Sequence, residues 1–115
     1  MNKIFKKIIF VISIIFLLYP HVSSEEKIKI GLLVPLTGDD SNLGQSIIKA
    51  TKMALKDIGI DDIEIYPKDT NSNPTQTLKS ASEFKDMGIS IVIGPVFYKN
   101  LIYLNEVDNI TFLSL

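Results

Sequence analysis

The sequence predicts an α/β fold in which a parallel sheet carries helices on both faces. Three observations lead there. Apolar, strand-like runs alternate with amphipathic helical stretches in the order βαβαβαβ from residue 28 onward. The first two helical stretches each close on a glycine, Gly59 and Gly88, before the next strand begins. The connections are long enough for right-handed crossovers, the usual link between neighbouring parallel strands.

Residues 1–24 stand apart from this pattern. Lys3, Lys6 and Lys7 form a positive n-region, residues 8–19 are an almost unbroken apolar run, and Pro20 with Val22, Ser23 and Ser24 supplies a helix break and small residues before Glu25. This reads as a secretory signal peptide, with cleavage expected after Ser24. The apolar run of 12 residues is short for a bilayer, which takes about 20. Residues 25–115 then form the mature chain.

The first strand spans residues 28–35 and is apolar on both sides. A polar loop, residues 36–42, leads to a helix opening near Leu43, whose inner face is expected to carry Leu43, Ile47, Ile48, Thr51, Ala54, Leu55 and Ile58. A short alternating strand follows at residues 63–66, then a turn-rich loop at 67–73. Asn73 and Pro74 are an N-cap and a first helical residue, and Leu78, Ala81, Phe84 and Met87 mark the inner face of the second helix. A third strand occupies residues 89–93. A third helix is expected from Tyr98 to about Glu106, with Leu101, Ile102 and Leu104 inward, and a fourth strand over residues 110–115.

Composition narrows the chemistry. Without residues 1–24 the chain holds nine basic and thirteen acidic side chains, a net charge of −4, which argues against nucleic acid as a partner. It has no cysteine, hence no disulfide and no thiol near the cleavage point to accept a lipid. A soluble periplasmic protein is the expectation. The one histidine, His21, lies in the signal segment, so a nucleophilic triad is not expected, nor an enzyme of that kind.

The loop from Gly38 to Gly44 is glycine-flanked between a strand and a helix, but five residues separate the glycines and Gln45 stands where a P-loop has lysine. Asp39 and Asp40 would also repel a pyrophosphate, so no nucleotide cofactor is expected. The aspartates lack the alternating spacing of a calcium loop, and most fall at turns and helix ends, where Asp caps. No metal is expected. Asp69, in the loop at the carboxyl end of the second strand, is the acid worth following. Asn109, Ile110 and Thr111 match a glycosylation acceptor, which in a bacterial setting is coincidence.

Two segments remain. Ser41, Asn42 and Leu43 in the first loop, and Phe97, Tyr98 and Lys99 after the third strand, both follow a strand and precede a helix. Each would bring N–H groups to the carboxyl edge of the sheet, where they suit a carboxylate or another small anion.

The run from Ile28 to Gly38, Leu43-Gly44-Gln45-Ser46 opening a helix, Tyr66 to Asp69 with Asn73-Pro74-Thr75, and Ile91-Val92-Ile93-Gly94-Pro95 together resemble the type I periplasmic binding proteins of the leucine/isoleucine/valine-binding branch. The resemblance implies a two-lobed protein with a Rossmann-like sheet in each lobe, closing on an amino acid or similar solute for an ABC importer, whose membrane subunits would be its partners. It places the ligand carboxylate near Phe97, Tyr98 and Lys99, and implies that residues 25–115 are the first part of the N-terminal lobe. Tyr98 stands where amino-acid binders commonly have a small hydroxyl residue, and Leu43 where several have a covering aromatic. The Pro35-Leu36-Thr37-Gly38 segment and the run from Ile93 to Leu101 also resemble activators of cell-wall synthases, which use the fold for protein contact. That alternative implies a peptidoglycan synthase as partner.

Overall fold

The computed structural model describes residues 2–20 and 25–115. The cleavage point expected after Ser24 lies outside the described residues, as does His21. A first helix, α1 (Asn2–Leu17), buries none of its residues, and no described helix is long and apolar enough to cross a membrane.

The rest is β1 (Ile28–Val34), α2 (Ser41–Ile58), β2 (Ile63–Asp69), α3 (Pro74–Asp86), β3 (Ile91–Ile93), the 3-10 turns η1 (Tyr98–Leu101) and η2 (Leu104–Glu106), and β4 (Thr111–Leu113). All strand pairs are parallel, in the order β2-β1-β3-β4. β1 therefore lies inside the sheet. The chain moves one way from β1 to β2 and the other way from β2 across β1 to β3, so right-handed crossovers put α2 and α3 on opposite faces. The reversal falls between β1 and β3, where open α/β sheets form a crevice at their carboxyl ends.

Side chains alternate across β1. Leu33 points into a core with Ala81 and Phe84 of α3, Ile89, Val92, Leu104 and Val107. Gly31 lies on the same face because space is short there: a Cβ would come within 2.9 Å of both the Phe84 ring and Val92. Leu32 and Val34 take the other face and are fully buried.

α3 begins and ends as its sequence implies. The Asn73 side chain accepts from the N–H groups of Thr75 and Gln76, with Pro74 at the first helical position, and Gly88 follows the last turn at φ +74°.

Several expectations need correction, among them Met87, which ends α3 exposed rather than on its inner face because the helix closes just before it. β2 runs on through Pro67, Lys68 and Asp69, read above as loop, because it is an edge strand and an edge tolerates a proline. α2 starts at Ser41 rather than Leu43, and its face is shallower than expected, since Leu43, Ala54 and Ile58 are exposed. β3 and β4 have three residues each.

The expected third helix is replaced by η1 and η2. Its stretch is rich in aromatic, β-branched and Asn residues, which are mediocre helix formers. Tight i→i+3 turns form instead, with Asn100 N–H donating to Phe97 O and Val107 N–H to Leu104 O. Leu104 and Val107 fill the core while Leu101 and Ile102 are exposed.

Candidate functional site

The carboxyl ends of β1 and β3 bring both sequence-identified segments to one sheet edge, β1 and β3 being direct neighbours. On the β1 side, Ser41 is half-buried while Asn42 and Leu43 are exposed at the head of α2. That head is seated against β1 by Gly44, where a Cβ would fall 1.6 Å from Pro35 O. Its N–H groups are largely used: Ser41 donates to Gly38 O, and Leu43 and Gly44 donate to Asp40 O. The Asp40 side chain does not cap the helix.

On the β3 side, Gly94 takes φ +107°, and a Cβ there would stand 2.4 Å from Leu33 O. The chain passes through a cis Gly94–Pro95 bond to Phe97, which is half-buried, Tyr98, which is 86% exposed, and Lys99, also exposed. Lys99 Nζ lies 5.6 Å from the centroid of the Phe97 ring, a cation–π distance. Being a four-residue 3-10 turn, η1 has little of the aligned dipole of a long helix. What this segment offers a ligand is the Lys99 ammonium and the Tyr98 ring and hydroxyl.

Asp69, the acid singled out in the sequence, organises this edge in a role the sequence did not reveal. Asp69 Oδ1 accepts from the N–H groups of Leu36 at 2.7 Å, Thr37 at 3.3 Å and Asn71 at 2.8 Å, and Oδ2 accepts from the Thr37 hydroxyl at 2.6 Å. Burial alone would raise the carboxyl's pKa. The hydrogen bonds from the Thr37 hydroxyl and from the Leu36, Asn71 and Thr37 N–H groups outweigh it and hold the group below the ordinary aspartate value. Beside it, Ser72 Oγ donates to Asp40 Oδ2 at 2.6 Å. The one signal available in the sequence was an acid closing a strand ahead of an Asn-Ser-Asn turn.

Among the described residues no group of three or more His, Cys, Asp or Glu is placed to hold a metal ion. The backbone N–H groups expected to receive an anion are mostly bonded within the chain, so what this edge exposes is the Lys99 ammonium and the Tyr98 ring and hydroxyl, suited to a small polar or anionic group.

A family profile described as periplasmic binding protein matches residues 27–107, most of the chain. The chain belongs to the periplasmic binding protein family. Among solved structures, this periplasmic binding protein is similar to the C-domain of LpoA from Haemophilus influenzae, a regulator of PBP1A, at 28% identity and TM-score 0.63, over 76% of this chain and 27% of that one. It is similar to a periplasmic binding protein from Burkholderia mallei at 22% identity and TM-score 0.66, over 77% and 26%. It is also similar to the leucine-binding protein LivK from Thermotoga maritima at 21% identity and TM-score 0.65, over 76% and 27%. The last two establish the shared α/β fold. The chain thus spans about a quarter of the length of these structures. No curated protein matched the sequence.

Proposed function

We propose that this chain is the first part of the N-terminal lobe of a periplasmic solute-binding protein, capturing an amino acid, an amide or a similar small ligand for an ABC importer. The observation that carries this reading is the pairing of two strand-to-helix segments at the β1–β3 reversal, the place where open α/β sheets receive ligands. Ser41, Asn42 and Leu43 line one side and Phe97, Tyr98 and Lys99 the other, with Lys99 as counter-charge for a ligand carboxylate. Residues 1–24 act as the export signal, which places the mature chain in the periplasm. A second lobe closes over the ligand about a hinge.

Two measurements test it. Sequencing beyond the codon for Leu115 should reveal an open frame of about two hundred residues, enough for a second domain. Calorimetry on the complete gene product with the twenty common amino acids and their amides should show binding by at least one. A complete product that binds none removes the transport reading.

One observation favours a second reading. LpoA is more similar in sequence than the Burkholderia mallei periplasmic binding protein and the leucine-binding protein LivK, at 28% against 22% and 21% identity, and Tyr98 is exposed as a protein-contact residue would be. On that reading the chain activates a peptidoglycan synthase by contact, and co-purification with a synthase from envelope extracts decides between the two.

A further inference from the structure

Asp69 ends β2 and pairs in register with Val34 at the end of β1. Its carboxylate reaches across to the first loop, and the loop after β2 is tied to the first loop elsewhere as well. Thr70 N–H donates to Val34 O at 3.0 Å, Ser72 Oγ donates to Asp40 Oδ2 at 2.6 Å, and Thr37 Oγ1 lies 3.2 Å from Asn71 Oδ1. These bonds join residues more than thirty positions apart.

An ionised carboxylate has about four lone-pair sites. Asp69 already accepts four hydrogen bonds, three on Oδ1 and one on Oδ2. Oδ1 is therefore fully engaged by backbone N–H groups, and Oδ2, bonded to the Thr37 hydroxyl, keeps a single acceptor site at the sheet edge. Its negative charge is directed into the chain's own backbone.

We propose that Asp69 is a positioning residue of the cleft: by holding the Leu36 and Thr37 N–H groups it sets the path of the first loop, and with it Ser41, Asn42 and Leu43, without itself touching the ligand. This rests on the solute-binding reading above and deepens it. The connection runs through short steps, from Thr37 to Gly38, whose carbonyl receives the Ser41 N–H, and on to Gly44 against Pro35. Replacing Asp69 should shift the head of α2 while leaving the β1–β3 pairing intact.

The test begins on the unaltered protein by nuclear magnetic resonance. The amide protons of Leu36, Thr37 and Asn71 should move together through one common midpoint as pH falls, below the ordinary aspartate range. Asp40, bound by Ser72, and the exposed Asp39 are the other acids of these loops, and amides that follow separate midpoints would overturn the brace. The variants Asp69→Asn and Asp69→Glu come next. Asp69→Asn should cost the Leu36 and Thr37 amides about tenfold or more in hydrogen-exchange protection, the scale of a lost charge-assisted bond. Asp69→Glu should restore part of it.

Calorimetry with the same amino-acid and amide panel supplies the functional arm. Binding weakened in Asp69→Asn in step with the lost amide protection supports positioning. Binding abolished while the amides stay protected would mean direct ligand contact and overturn it. If the unaltered complete protein binds none of the panel, the solute-binding reading and the positioning role fall together, while the amide titration still decides whether Asp69 braces the loop.

Discussion

The loop after β1 is held by parts of the chain distant in sequence: Asp69 takes its Leu36 and Thr37 N–H groups, and Ser72 takes its Asp40. The segment after β3, at the same sheet edge, is held differently. Leu104 and Val107 anchor it in the core, Tyr98 stands 86% exposed, and Asn100 is fully buried with neither Oδ1 nor Nδ2 hydrogen-bonded. The first loop is tied by side-chain bonds to a loop distant in sequence, the second by packing together with backbone bonds of its own turns. Directional bonds hold a backbone path by distance and angle, whereas packing fixes where a segment lies and leaves its outer side chains free to adapt. A cleft with one wall of each kind has a fixed side and an adjustable side.

The largest effects should come where both walls press a glycine against backbone. Gly44→Ala puts a Cβ 1.6 Å from Pro35 O, and Gly94→Ala puts one 2.4 Å from Leu33 O at a positive φ. Each should cost about 3 kcal/mol in urea denaturation, the upper end for overpacking. Gly44→Ala should cost more, because the bonded first loop has less freedom to move away. Equal costs would erase the contrast between the walls.

Thr37→Val comes next, at about 1–2 kcal/mol, because it removes the hydroxyl that donates to Asp69 Oδ2. It should also change the acid response. The folded-state pKa of Asp69 lies below its unfolded value, so its contribution is present above the unfolded pKa and is lost as pH falls through the folded one. Stability measured from pH 7 down to pH 2 should fall less steeply for Thr37→Val than for the unaltered chain.

On the other wall the sign should reverse. Asn100→Leu exchanges an unpaired buried amide for an apolar side chain of similar size, and a gain of about 1 kcal/mol is expected. A loss of that size would show that Asn100 is paired and that this wall also depends on polar bonds. The smallest effect on stability belongs to Tyr98→Ala, within about 0.5 kcal/mol for so exposed a site. Its effect on binding should be large, and unchanged binding of both the solute panel and a synthase would remove Tyr98 from the site.

The contrast also explains what could be read in the sequence. β1, the Asn73-Pro74 start of α3 and the stops at Gly59 and Gly88 follow from local chemistry, so periodicity and capping rules find them. β2 could not be bounded that way, because Pro67 and Asp69 are turn-forming residues, yet pairing with Leu32, Leu33 and Val34 draws residues 67–69 into the strand. The helical pattern from Tyr98 to Glu106 misled because Leu101 and Ile102 match the inward spacing, yet of the three residues expected inward only Leu104 reaches the core, joined by Val107. Asp69 was legible as an acid at a strand end. Its role was not, since its partners in the first loop lie over thirty residues away.

The strand order has a consequence in time as well as in space. β1, the first strand of the sheet to be synthesised, is also the one bordered on both sides, by β2 and by β3. As the chain lengthens, β1, α2 and β2 are complete before any residue of β3 exists, and their seven-residue pairing is the longest in the sheet. The β2–β1 half of the sheet is therefore laid down first, as a template on which β3 and then β4 are added, and the fixed side of this edge is in place before its adjustable side has been made.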